Sequence, residues 1–165
     1  MTNRNKNIMI VALLLLAAMA VILGVFLWQA KQNFPENIKV REDGVTEGIL
    51  AVRDLRLHPA ESREYSVDLF CEASGSYYIS LDYEEKKNGG MKSFVDVTVK
   101  FGDSVVYEGN LATLMDADIQ LQFLGELHAT DPTTISICYE MPIEVGNEAQ
   151  RTYADFDVHF EIKKA

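Results

Sequence analysis

Asp155-Phe156-Asp157-Val158-His159-Phe160-Glu161-Ile162 carries an apolar side chain at every second position and a polar one between each pair. Neighbouring side chains of a strand point to opposite faces, whereas a helix would scatter this spacing around its axis, so the stretch reads as a half-buried strand. Ser93 to Phe101 repeats the pattern, with Val95, Val97, Val99 and Phe101 on one face and Asp96, Thr98 and Lys100 on the other. The same alternation marks Gly48 to Leu57, Arg63 to Cys71, Tyr77 to Glu85, Ser104 to Glu108, Asp118 to Leu127 and Thr133 to Tyr139 as strands. His58-Pro59-Ala60-Glu61-Ser62, Gly75-Ser76, Asn88-Gly89-Gly90, Gly102-Asp103 and Asp131-Pro132 supply turn chemistry between them. Gly125 interrupts one alternation and predicts a bulge, and Leu111 and Leu114, three apart, predict a helical turn within Asn110 to Asp116.

Strands with one apolar face each bury it by packing two sheets together. The fold class predicted is therefore all-β: a two-sheet antiparallel sandwich, jelly-roll-like, of about eight strands over 48–165. It is preceded by one N-terminal transmembrane or signal helix over 1–30 and a polar stalk or arm over 31–47 that contains Pro35.

The N-terminal reading rests on the run from Ile8 through Leu15 and Leu23 to Trp28, which contains no charge. At about 1.5 Å per residue such a helix spans a hydrocarbon core of about 30 Å. Arg4 and Lys6 precede it, so the positive-inside bias holds the short N-terminus in the cytoplasm and sends the rest outward, with Trp28 at the interface. Retention as an anchor in the cell membrane is favoured. The alternative is cleavage after Ala18-Met19-Ala20, a small-x-small site, releasing the domain to the cell surface or matrix.

All 25 acidic residues follow this segment, against 13 of the 15 basic ones, a net −12. A surface of that sign repels phosphates, which excludes nucleic acid as a partner and fits solubility outside the cell. No zinc-ligand spacing, nucleophile motif or phosphate-binding glycine loop is present, so no catalytic residue and no cofactor is assigned. His58, His128 and His159 read as surface imidazoles. Asp116 and Asp118, with Glu84, Glu85 or Glu108, are weak candidates for a calcium site. Strand parity puts Cys71 on an apolar face and Cys138 on a polar one, which favours two free thiols over a disulfide. Tyr77, Tyr78 and Tyr83 form an aromatic group in which Tyr83 shares a face with Ile79 and Leu81.

Three short motifs occur in a particular order. They are Leu57-His58-Pro59-Ala60-Glu61-Ser62, then Ala73-Ser74-Gly75-Ser76, then Gly146-Asn147-Glu148-Ala149-Gln150 ahead of the last strand. With the N-terminal export helix, this order resembles the camelysin/TasA family of Gram-positive surface and biofilm-matrix proteins, over most of 48–162. Pro59, Glu61, Gly75, Gly146, Asn147 and Gln150 carry the likeness; Ala60 stands where the family usually has Gly, and the terminal strand lacks the closing aromatic-x-Ala-x-Gln. The resemblance implies an exported jelly-roll-like sandwich. Some relatives are labelled metallo-endopeptidases, but no zinc ligands carry over onto this chain.

The function expected is a non-enzymatic, exported cell-surface module for structure, assembly or adhesion, possessing a matrix-fibre-like character. Its partners would be the membrane, further copies of itself or other surface proteins. The alternative is a surface domain that binds calcium or carbohydrate, and a metallo-endopeptidase ranks last.

Overall fold

The computed structural model describes residues 36–116 and 120–165, together with Met19. Ile8, Leu15, Leu23 and Trp28 lie outside the described residues, and no helix among the described residues is long and apolar enough to cross a membrane. The chain divides between Phe34 and Pro35, and the unit described here is Pro35–Ala165.

Nine strands run through this unit: β1 (Glu36–Val40), β2 (Val45–Leu55), β3 (Ser62–Cys71), β4 (Gly75–Gly89), β5 (Asp96–Phe101), β6 (Ser104–Asn110), β7 (Leu121–Leu127), β8 (Thr133–Glu140) and β9 (Tyr153–Lys164). One sheet has the order β1-β3-β8-β5-β6 and the other β2-β9-β4-β7. All pairings are antiparallel except that of β1 with β3, which is parallel. A short α-helix, α1 (Leu111–Asp116), follows β6 directly. Asn110 caps it, its side-chain oxygen accepting from the Ala112 N–H at 3.0 Å, while Leu111 and Leu114 pack into the core.

The alternation in the sequence becomes a dry interior between the sheets. Val95, Val97, Val99, Phe156, Val158, Phe160 and Ile162 are all buried. Aromatic rings stitch the layers at mid-core. Phe156 on β9 meets Tyr139 on β8 edge-on at 5.4 Å and lies 5.9 Å from Tyr83 on β4, while Tyr65 on β3 meets Tyr139 at 5.8 Å. Tyr83 is a core residue, as its strand face predicts, and Tyr77 joins it; Tyr78 points outward.

Three expectations need correction. Glu36–Val40 is not a stalk: it forms edge strand β1, and the rest of the supposed arm includes the start of β2, so the sandwich begins well before position 48. Ile38 and Val40 are buried while Asn37 and Lys39 are exposed, an alternation of only two apolar residues inside a charged segment. The sheets are thus not purely antiparallel. Finally, Gly125 marks no bulge. The β4/β7 register runs unbroken through it, and a Cβ there would come within 2.6 Å of the Phe101 ring. The glycine is a recess that lets Phe101 pack edge-on against Phe123 at 5.6 Å. Register shifts fall instead between Val52 and Leu55, Glu85 and Lys87, and Val99 and Lys100.

Candidate functional site

Two places bring together the residues that the sequence singles out. At the first, the turn after β2 and the segment between β8 and β9 meet. The Met141 N–H donates to Glu61 O at 3.0 Å and the Ala60 N–H to Met141 O at 2.9 Å. Glu61 also closes its own turn, its side chain accepting from the His58 N–H at 2.9 Å. A short 3-10 turn over Asn147–Ala149 is held by Gln150, whose side-chain amide donates to the Asn147 side chain at 2.6 Å. Pro59, Gly146, Asn147 and Gln150 then line one open pocket of about 240 Å³ with His58 and the exposed Ile143. Gly75 stands at the other end of the four-stranded sheet, opposite Leu127, and takes no part.

Ala60 has φ +65°, in the left-handed region where a Cβ crowds the following carbonyl. Glycine removes that strain at some cost in unfolded-chain entropy. Ala60→Gly is therefore expected to stabilise the domain by about 0.5–1 kcal/mol, read as a rise in the urea midpoint at unchanged slope.

The second place is the outward face of the four-stranded sheet, where β4 and β9 run side by side. The register sets Asp82 opposite His159 and Glu84 opposite Asp157. His159 Nε2 lies 3.0 Å from Glu84 Oε2. Lys86 Nζ lies 2.6 Å from Glu84 Oε1 and 3.4 Å from Asp157 Oδ2. Arg53, from β2, donates to the Asp157 carboxylate and also to Phe156 O at 2.8 Å. Asp157 is only 8% exposed although it points away from the core, because these long cations fold over it.

Burial pushes the Asp157 carboxyl up, but the Arg53 guanidinium and the Lys86 ammonium more than offset this and hold it below the usual carboxylate range. Lys86 and then His159 lower Glu84 in the same way, and Glu84 in turn raises Lys86. A depressed folded-state value stabilises the fold above the unfolded carboxyl value of about 4, and that contribution fades as pH falls through the lower folded value. Arg53→Met is thus expected to cost about 1–2 kcal/mol near pH 7, with the deficit shrinking below about pH 4 in urea titrations at both pH values.

The expectation that His159 is a mere surface imidazole is incomplete: it is half-buried and bonded within this group. His58 and His128 are exposed. Asp-x-His on one strand face was the available signal in the sequence. Its partner Glu84 is far away along the chain and arrives only through the β4/β9 register. Of the calcium candidates, Asp118 and the side chain of Asp116 lie outside the described residues.

The cysteine parity holds. Cys71 faces the core and Cys138 lies half-buried on the other face of the five-stranded sheet, opposite Glu64 and Thr98, and both are free. Burial raises both thiols, with Glu64 adding to the effect at Cys138, so neither is a ready thiolate nucleophile.

No family model and no curated protein matches this sequence. Among solved structures, the chain is similar to the VP2 subviral particle of infectious bursal disease virus, at 13% identity and a TM-score of 0.36, over 74% of this chain and 34% of that one. It is also similar to the pre-peptidase C-terminal domain of collagenase from Bacillus anthracis, at 11% identity and a TM-score of 0.29, over 79% of this chain and 99% of that one. The chain thus spans about a third of the length of the viral protein. Likenesses this distant carry no argument about fold or function.

Proposed function

We propose that this protein is an exported, non-enzymatic cell-surface module that assembles through its first strand, with the folded domain on the outer side of a membrane. The observation that carries this reading is β1. Among the described residues it sits at a sheet edge and pairs only with β3, and it contributes Ile38 and Val40 to the core. An edge strand held in this way makes the same hydrogen bonds and fills the same apolar sites whether its acceptor is its own β3 or that of a neighbour. Head-to-tail exchange of β1 would then build an open chain of subunits.

The finer architecture fits this reading. The orders β2-β9-β4-β7 and β3-β8-β5-β6 are those of an eight-stranded jelly roll, and β1 is the addition to its edge. Such a body has a place for one more strand. β1 covers only Val67–Cys71 of β3, so the edge from Ser62 to Ser66 has no β1 partner. Arg63 and Glu64, exposed there, are of the kind that discourage indiscriminate edge pairing. The resemblance to matrix proteins points the same way, as does the uncharged run from Ile8 to Trp28, which suits an anchor or export signal.

The test is assembly of the untagged chain from residue 31 onward, held at high concentration and low salt a few degrees below its melting midpoint so that β1 detaches and re-pairs. Sedimentation velocity is expected to show a ladder of oligomers, suppressed by excess peptide spanning 33–44. A chain that stays monomeric throughout overturns the assembly reading.

A second reading, a ligand-binding surface domain, is favoured by the pocket between His58, Pro59, Asn147 and Gln150, where amide and imidazole groups flank an apolar floor. Thermal shift against a panel of mono- and oligosaccharides is its test, and a flat response across the panel removes it.

A further inference from the structure

We propose that Glu84, Asp157 and His159 form a binding site for one divalent transition-metal cation of the zinc type, which enters by displacing Lys86. Each of the three side chains offers one donor atom, and these atoms all lie within 4.8 Å of one another. Ligand atoms around a tetrahedral zinc ion sit about 3.3 Å apart, so closure needs only a small side-chain adjustment. Glu84 is exposed, and its only polar partners in this group are Lys86, which leaves, and His159, which is itself a ligand.

The backbone beneath the donors is already ordered. Asp157 and His159 project from alternate positions of β9, and Glu84 stands across from Asp157 on β4, in the centre of the sheet. The bond between His159 Nε2 and Glu84 turns the ring nitrogen toward the two carboxylates, and the proton that Nε2 holds in that bond moves to Nδ1 or leaves to water when the cation takes its place. Asp82, exposed and opposite His159, is a further carboxylate on the same face.

The donor chemistry selects the ion. One imidazole with two carboxylates suits zinc, nickel or copper, whereas calcium and magnesium take oxygen ligands and gain nothing from the ring. Charge decides what leaves. Lys86 bridges Glu84 and Asp157 and occupies the position of positive charge between them, on a long stem with its side chain 37% exposed. It can swing into water at little cost. Arg53 approaches Asp157 from β2, away from Glu84, and stays to balance the buried carboxylate. Lys86 therefore acts as a built-in competitor for the site.

The test uses the untagged full-length chain in detergent micelles, with Zn²⁺ and Ca²⁺ competed against a chromophoric chelator and Cu²⁺ followed by electron paramagnetic resonance. One Zn²⁺ per chain is expected, with Cu²⁺ showing coupling to a single imidazole nitrogen. His159→Gln and Glu84→Gln should each weaken Zn²⁺ binding at least tenfold while the metal-free protein stays folded, with only a small drop in its melting midpoint from the lost exposed pairs. Lys86→Gln should tighten it several-fold, and the double variant His58→Gln/His128→Gln should bind as the parent does. Binding that survives His159→Gln, that follows His58 or His128, or that is equally strong for Ca²⁺ overturns the site. Indifference to Lys86→Gln overturns the displacement.

Discussion

Phe156→Ala is expected to cost about 3–5 kcal/mol, enough to unfold a domain of ordinary stability. Phe156 is fully buried and is one of the rings through which the two sheets touch, packing on Tyr83 within its own sheet and on Tyr139 across the interior. Truncation removes both contacts. It also leaves a void beside two phenols, Tyr83 and Tyr139, whose buried hydroxyls already lack good hydrogen-bond partners. Burial raises both phenols, so they stay neutral and offer the cavity no charge to draw in water. Urea unfolding with the near-ultraviolet signal of the tyrosines reads the loss. A penalty below 1 kcal/mol would mean that the sheets do not depend on this contact.

Gly48→Val is expected to eject β1 from the sheet edge. Gly48 lies on the inward face of β2, and a Cβ built there would stand 2.3 Å from Ile38 Cδ1. Ile38 fills the space that a side chain at 48 would need. Its displacement pulls the neighbouring Val40 with it, and losing two buried aliphatic side chains costs about 3–5 kcal/mol in the monomer. The substitution changes no residue of β1 or of its acceptor β3, so it separates the strand's docking from its sequence. Limited proteolysis should cut the variant within 36–44, where the parent resists. If β1 exchanges between subunits, the variant also loses the oligomer ladder, because every acceptor carries the same obstruction. Parent-like resistance to proteolysis would show that β2 and β1 adjust around the added methyls.

Some of this protein could be read along the chain alone. Val95, Val97 and Val99, and Phe156, Val158 and Phe160, turn to the core as their period of two requires, because that period follows from backbone geometry and needs no partner. Cys71 and Cys138 separate by the same parity. The helical turn at Leu111 was visible because the spacing of Leu111 and Leu114 is local, and Asn110 then caps it in the structure. What depended on a partner was not. Ile38 and Val40 make too short an alternation to announce a strand, and the recess over Gly48 that accepts Ile38 belongs to another element. Gly125 looked like a bulge because its reason, the ring of Phe101, comes from the facing sheet.

The candidate sites divide along the same line. Pro59, Asn147 and Gln150 were singled out in order along the chain, but their convergence on one pocket required the turn after β2 to bond to Met141. Asp157 and His159 were adjacent on a face from the outset; Glu84, Lys86 and Arg53 joined them only when β4 and β2 took up register on either side of β9. Side-chain period, charge and turn chemistry are properties of neighbours in sequence, and they determined that this is an acidic two-sheet protein whose sequence carries an uncharged apolar run from Ile8 to Trp28. Register and the choice of edge partner are settled by contacts between residues far apart in the chain, whose closure is driven by packing, and only the folded sandwich decided them.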